Sequence, residues 1–175
     1  MRVAVAEAVA QLDRRGLIER RRDDHSDRII EHVGDLVGRA IPGDLADFYR
    51  ERIHGLDGFL AIRPIWNDYV GWHGSDSIVT RLLHVQAAPI FWDGCGSLFG
   101  LDLASGDEVP AVYFFDHEDS FERPRFAAGS SLGAFLLLLA DHDRAYDDNW
   151  PPKWELTIDP DLEKCPRAPA IWNAG

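Results

Sequence analysis

Alternating apolar and polar positions predict a β-hairpin near the middle of this chain. Between residues 98 and 103, phenylalanine and leucine alternate with glycine and aspartate, which is the pattern of a strand buried on one face. A short apolar run over residues 89–92 precedes it. The residues between the two runs include Asp93-Gly94-Cys95-Gly96, whose aspartate and glycines favour a tight turn. We therefore predict that Asp93, Gly94 and Gly96 form a structural turn between antiparallel strands.

Apolar residues at steps of three and four predict three helices before the hairpin. The first helix covers residues 3–20, the second begins at Ser26 as its N-cap, and the third has Pro42 in its first turn. The predicted buried faces are Val5, Val9 and Leu12 in the first; Ile29, Ile30, Val33, Leu36 and Val37 in the second; and Leu45, Phe48, Tyr49 and Ile53 in the third.

The remaining apolar segments predict further strands. Residues 59–62 are compatible with a strand that has Pro64 at its edge, whereas residues 77–85 fit either a helix or a strand. Residues 111–115 are entirely apolar, which indicates a strand that is central in a sheet or buried on both faces. Residues 125–128 predict a short last strand.

The closing element is a strongly apolar helix over residues 132–140. Ser130 and Ser131 precede it, and their position favours helix capping over a nucleophilic role. Because strands joined by short turns pair antiparallel, the element order predicts an α+β fold. In this fold, an antiparallel β-sheet has N-terminal helices and a C-terminal helix packed against it.

The length of 175 residues predicts a single domain over residues 1–175. We divide it into an N-terminal helical extension (1–25), a core (26–141) and a C-terminal tail rich in proline and tryptophan (142–175). The tail is predicted to pack on the core, because its aromatic residues favour burial against the domain.

The charge balance favours a protein partner over nucleic acid. The chain has 30 acidic and 18 basic residues and a formal net charge of −12. A negative surface repels nucleic-acid phosphates and attracts basic proteins. The alternative is that the charge only keeps the protein soluble.

The cysteine content and the N-terminus predict a cytoplasmic location. Cys95 and Cys165 are too few for a disulfide scaffold or for a zinc site made of thiolates. No stretch reaches the roughly 20 apolar residues that span a bilayer, and Glu7 interrupts the N-terminal apolar run. We predict no cofactor and no membrane contact.

Two acidic segments contain residue types that bind metals or basic partners. The segment Asp116-His117-Glu118-Asp119 reads as a solvated turn after a strand, with a metal site as the alternative. Asp141 and Asp143 lie at a helix C-terminus, where carboxylates oppose the helix dipole; we interpret them as solvated surface, with exposure to a basic partner as the alternative. Cys95 lacks an adjacent base or cation and is not expected to be a nucleophile.

Clustered aromatic residues give a further candidate interface. Trp66 and Trp72 lie close together in the sequence, together with Tyr69. Large aromatics dominate protein cores, but they are also enriched in binding hot spots, so both interpretations remain open.

The order and spacing of several short motifs resemble the SUKH superfamily, which contains a fungal cell-wall-assembly regulator and many bacterial relatives. The resemblance covers residues 26–141. The residues that carry it are Ile29-Ile30, Leu36-Val-Gly38, Ile41-Pro42-Gly-Asp-Leu45, Phe48-Tyr49, Gly55, Pro89-Ile90, Asp93-Gly94-Cys95-Gly96, Leu98-Phe99-Gly100-Leu101-Asp102, Val112-Tyr-Phe-Phe-Asp-His117, Ser130-Ser131 and Phe135-Leu136.

The resemblance implies a compact α+β domain without a shared catalytic residue. For bacterial members it implies immunity, in which the protein binds and neutralises a toxin that is often a nuclease. We therefore expect no enzyme, but a protein-binding module for a basic toxin. An intracellular scaffold or regulator and a metal-dependent enzyme are the alternatives. The expected binding residues are Trp66, Trp72, Asp116, Glu118, Asp119, Asp141 and Asp143. The oligomeric state stays open.

Overall fold

A five-stranded antiparallel sheet lies at the centre of the fold, with helices packed against it. The computed structural model describes residues 3–20, 22, 26–56, 63–64, 78–92, 96–142 and 153–168. Within these residues, the elements in chain order are α1 (Val5–Arg14), β1 (Ile18–Arg20), α2 (Ser26–Val37), α3 (Gly43–Arg50), β2 (Ile53–Leu56), β3 (Arg63–Pro64), α4 (Ile78–His84), β4 (Ala87–Trp92), β5 (Leu98–Asp102), β6 (Val112–Phe115), β7 (Phe126–Gly129), α5 (Leu132–His142), α6 (Glu155–Ile158) and a 3₁₀ turn at Leu162–Lys164.

The sheet has the spatial order β3-β4-β5-β6-β7, and each neighbouring pair is antiparallel. This arrangement confirms the α+β prediction and the hairpin of β4 and β5. In that hairpin Phe99 lies opposite Phe91, and across the next ladder it lies opposite Phe114. Pro64 lies in the edge strand β3, where its missing N–H leaves no gap in a central ladder.

Aromatic side chains join the helices to the sheet. The ring of Phe48 on α3 lies 5.2 Å from that of Phe91 on β4. Phe91 in turn lies 5.8 Å from Phe135 on α5, and Phe135 lies 4.9 Å from Phe99 on β5. These four rings are buried, and such ring pairs add stabilisation beyond the apolar area they remove from water. Helix α5 therefore closes the core together with α3.

The prediction that β5 is buried on one face only is wrong. All five residues of β5 are buried. On the face that carries Gly100 and Asp102, a Cβ at Gly100 would lie 3.1 Å from the ring of Phe115. On the same face, Asp102 pairs with Arg167 of the C-terminal segment. Residues far along the chain thus cover the face whose polar pattern predicted exposure.

The first helix ends earlier than predicted. It stops at Arg14 because Gly16 has a φ of +69°, and the N–H of Leu17 donates to the carbonyl of Leu12. Residues 18–20 then form β1, which pairs antiparallel with β2 in a separate two-stranded sheet. The predicted buried face of Val5, Val9 and Leu12 is confirmed.

The next two helices confirm most of the predicted apolar faces. The start of α2 at Ser26 is confirmed, and the hydroxyl of Ser26 donates to the carbonyl of Tyr49 at 2.8 Å. Leu36 does not belong to the buried face, since it is 40% exposed. Ile53 is buried as predicted but lies in β2, because the positive φ of Arg52 has already ended the helix.

The rest of the chain settles the alternative that the sequence left open and corrects the end of the last predicted helix. Residues 78–84 form a helix rather than a strand. α5 continues to His142, and the hydroxyl of Ser131 accepts from the N–H of Ala134 at 3.1 Å, as expected for a cap. In the C-terminal segment Trp154 and Leu162 are buried against the core.

No described helix is both long and apolar enough to cross a membrane.

Candidate functional site

The turn after β6 uses Asp116 to hold itself together, which corrects the solvated-turn interpretation for this residue. Asp116 is buried, and its carboxylate accepts from the N–H of Glu118 at 2.9 Å and pairs with the guanidinium of Arg125. The Glu118 hydrogen bond, with help from Arg125, lowers the pKa of Asp116 below its ordinary value. This carboxylate is therefore engaged within the protein, whereas His117, Glu118 and Asp119 are exposed.

Ser97, which directly precedes β5, lies beside a histidine and an aspartate of this turn without forming a catalytic relay. Ser97 Oγ lies 2.9 Å from His117 Nδ1, and Asp116 Oδ1 lies 3.6 Å from the same nitrogen. A Ser-His-Asp relay needs the hydroxyl and the carboxylate on opposite ring nitrogens. Gly96 has a φ of +107°, and a Cβ there would lie 3.6 Å from the His117 ring. The cluster therefore orients the imidazole over the turn.

Of the remaining residues expected at a binding site, the structure describes only Asp141. Asp141 is half-buried in the last turn of α5. Trp66, Trp72, Asp93, Gly94 and Asp143 lie outside the described residues. Within the described ranges, no three histidine, cysteine, aspartate or glutamate side chains lie close enough together to hold a metal ion.

A buried ion pair that the sequence did not predict joins the C-terminal segment to the sheet. Arg167 Nη1 lies 2.8 Å from Asp102 Oδ1, and Nη2 donates to the carbonyl of Val85 at 3.1 Å. The backbone N–H of Arg167 donates to the hydroxyl of Tyr113 at 3.2 Å, and the guanidinium lies 5.8 Å from the centre of the same ring. We call these four residues the C-terminal clasp.

Burial in and beside the clasp raises two pKa values. The pKa of Tyr113 rises to about 12, chiefly because burial disfavours the phenolate. The pKa of Cys165 rises to about 11, again through burial first and then through the negative charge of Asp159. A thiol with this pKa is almost entirely protonated at neutral pH, so Cys165 is a weak nucleophile.

The surface with the clearest binding character lies along α2. Asp27, Glu31 and Asp35 follow one another at intervals of four residues, which places them in one row on the helix surface. All three are exposed. None of them forms an ion pair with a cation in the part of the chain that the structure describes. Like charges at this spacing repel one another, so the row has unbalanced negative charge.

An open apolar groove adjoins this carboxylate row. It lies between α2 and α3 and has a volume of about 630 Å³. Its apolar lining consists of Ile30, Gly34, Gly38, Ala40, Ile41 and Ala46. Glu31, Asp35 and Arg39 supply the polar part of the lining, and the side chain of Arg39 donates to the carbonyl of Leu103.

A second, smaller groove lies on the other side of α2. Its volume is about 280 Å³, and it is lined by Leu36, Val37, Arg39, Leu83, Gln86 and Leu103. The exposed Leu36 therefore lies at this second groove. Together the two grooves leave the outer half of α2 without a covering element among the described residues.

Sequence reasoning used only the apolar stripe of α2 and missed its acidic row. The interval of four residues between the carboxylates is visible in the sequence and could have indicated a charged helix face. The groove beside it could not have been found in this way, because it depends on how α3 packs. A scan against protein-family models finds no match to this chain, and no curated protein matches it significantly.

Proposed function

We propose that this protein binds a basic surface of another protein, and that it acts in the cytoplasm as an immunity protein that neutralises a toxin. The observation that carries the proposal is the row of exposed carboxylates beside an apolar groove on α2. An apolar centre with a charged rim is the usual composition of a protein-binding surface. The exposed Glu118 and Asp119 lie on the turn after β6, outside this row and outside the lining of this groove.

Electrostatics supports a basic partner. The net charge of −12 accelerates encounters with positive proteins and disfavours contact with nucleic-acid phosphates. A toxin that acts on nucleic acid needs a basic surface for its substrate, so an acidic protein covering that surface would block it. This complementarity and the resemblance to the SUKH superfamily both support the immunity role. No catalytic step is part of the proposal.

Coexpression tests this function directly. The protein encoded by the neighbouring gene is produced with and without this chain in a bacterial host, and growth and copurification are measured. We expect growth arrest without this chain, and rescue with a stable complex when it is present. If the neighbouring protein is toxic and this chain neither rescues growth nor copurifies with it, the immunity proposal is wrong. Copurification of a non-toxic housekeeping protein from the native cells, without rescue, would instead favour the scaffold alternative.

A further inference from the structure

We propose that the groove between α2 and α3 receives an amphipathic helix of the partner protein, with lysine or arginine residues one turn apart along one edge. This inference rests on the proposed function and names the segment of the partner that is recognised. The groove follows α2 from Ile30 to the end of the helix, about 10 Å at the rise of an α-helix. That length accommodates about two turns of a second helix.

The floor of the groove allows close approach of another helix. Ile30 and Gly34 lie four residues apart on α2, and Gly38 follows directly after the last residue of the helix; such i, i+4 rows form the grooves into which the ridges of a neighbouring helix pack. Two of these three positions have no side chain. An incoming helix can therefore lie closer to the α2 backbone here than at a row of larger residues.

The packing of the protein itself does not require glycine at position 34. A Cβ there would lie 3.4 Å from the carbonyl oxygen of Arg39, which is an ordinary contact. Glycine inside a helix is less favourable than alanine, so Gly34 lowers the stability of α2 without relieving a clash. No described contact of the protein therefore requires glycine at position 34, whereas Gly38 has a φ of +67° that by itself favours glycine.

The rim of the groove selects the charge of the occupant. Asp27, Glu31 and Asp35 present negative charges one turn apart next to the glycine row. Basic side chains at the same interval on the partner helix would pair with them and relieve their mutual repulsion. Arg39, the basic residue in the groove lining, directs its guanidinium to the carbonyl of Leu103 instead. An acidic or purely apolar helix would leave these carboxylates unpaired.

The test uses the full chain and the protein encoded by the neighbouring gene. Dissociation constants are measured by calorimetry for the wild type, Gly34→Leu, and the double variant Glu31→Lys/Asp35→Lys. We expect both variants to bind about tenfold or more weakly. The matched control, Glu118→Lys/Asp119→Lys, has the same change in charge on the turn after β6 and should change affinity by less than about threefold. Equal losses in both double variants, or a loss confined to the control, would overturn the inference.

A second variant, Gly34→Ala, is needed because Gly34→Leu could bind weakly only because it is unfolded. Gly34→Ala should melt at or above the temperature of the wild type and yet bind more weakly, because its methyl group occupies the space of the incoming helix. Weaker binding at unchanged or higher stability separates recognition from folding. If Gly34→Ala and Gly34→Leu are both folded and bind as tightly as the wild type, nothing docks on this row and the inference is wrong.

A partner-free measurement separates this inference from the proposed function. If the wild type does not bind the neighbouring protein, the immunity role fails while the groove can still be assessed. Random peptides of about 16 residues, long enough to form helices, are then selected by display against the wild type. We expect enriched peptides that have leucine-like residues on one face, lysine or arginine one turn apart, and no binding to Gly34→Leu. Failure to enrich peptides, or enrichment of peptides that bind both proteins equally, contradicts the inference.

Discussion

The guanidinium of Arg167 lies 2.8 Å from the carboxylate of Asp102, and this ion pair joins the C-terminal segment to the middle strand of the sheet. Only 3% of Asp102 is exposed, so its charge has almost no contact with water. A buried carboxylate is tolerated when it is paired and hydrogen-bonded, and the N–H of Ala104 provides a further hydrogen bond at 2.9 Å. The pair therefore links the position of the tail to the burial of β5.

Replacing Arg167 should destabilise the protein strongly. Arg167→Met leaves Asp102 buried and unpaired, and we expect the free energy of unfolding to fall by about 3 kcal/mol. Urea unfolding followed by circular dichroism measures this change. The double variant Arg167→Met/Asp102→Asn should recover part of the loss, because the charge that lacks a partner is gone. A change below about 0.5 kcal/mol in Arg167→Met, as is typical of surface ion pairs, would show that the clasp does not hold the tail.

Alkaline pH should weaken the fold through Tyr113 and Cys165. Both pKa values are higher in the folded protein than their ordinary values of 10.0 and 9.0, so the unfolded chain loses these protons first. Their contribution to stability is complete below about pH 9 and declines as the pH rises toward about 12. Urea unfolding at about pH 8 and about pH 10.5 should show this decline. Tyr113→Phe should make this decline in the free energy of unfolding smaller, because the phenol that loses its proton is gone. If the decline is the same in Tyr113→Phe and the wild type, Tyr113 does not contribute to it.

Cys165 should also react slowly with thiol reagents. Its pKa of about 11 keeps the thiolate fraction small at neutral pH. In a Cys95→Ser background, we expect slow modification of the native protein. The rate of modification should increase with pH until the pH reaches the pKa of Cys165, about 11. Fast labelling of the native protein at neutral pH, comparable to that in urea, would show that the thiol is not in the buried environment of the structure.

Acidic pH should test the turn after β6. The pKa of Asp116 lies below the ordinary 3.8, so its ionised form stabilises the folded state above that pH, and this stabilisation is lost as the pH falls through the folded pKa. Asp116→Asn should lower the free energy of unfolding at neutral pH by about 1.5 kcal/mol. It should also flatten the acid part of the stability profile. Glu118→Gln, which changes an exposed carboxylate in the same turn, is the control and should do neither.

Two glycine-to-alanine changes inside helices should have opposite effects. Gly34→Ala should raise the free energy of unfolding by about 0.5–1 kcal/mol, since the added methyl group meets only an ordinary contact. Gly133→Ala in α5 should lower it, because its Cβ would clash with the backbone oxygen of Val3. Thermal unfolding of both variants provides the comparison. If Gly133→Ala is as stable as Gly34→Ala, the close packing of α5 on the N-terminal segment is not as the structure has it.

Local patterns were sufficient for most helices and strands. The spacing of Val5, Val9 and Leu12 indicated the buried face of α1, and Ser26 and Ser131 indicated where α2 and α5 begin. Periods, caps and turn glycines depend on residues within a few positions of one another, so a single sequence contains them. The end of α1 was mistaken because Ile18–Arg20 pairs with β2, and that pairing outweighs the helical pattern.

The candidate site was only partly accessible to sequence reasoning. The acidic row of α2 follows a readable interval, and the overall negative charge correctly directed attention to exposed carboxylates. Asp116 could not be separated from Glu118 and Asp119 in this way. Its burial depends on Arg125, which reaches it from the far side of the turn.

The sequence by itself determined the α+β class, the central hairpin and the acidic character of the chain. Only the tertiary structure decided which faces are covered and which remain open. Asp102 reads as a solvent-facing residue until Arg167, 65 positions later, is placed on it. The groove on α2 likewise exists only because α3 packs beside the helix without filling it. Such relationships join residues distant in the chain through shape and charge, and no local period records them.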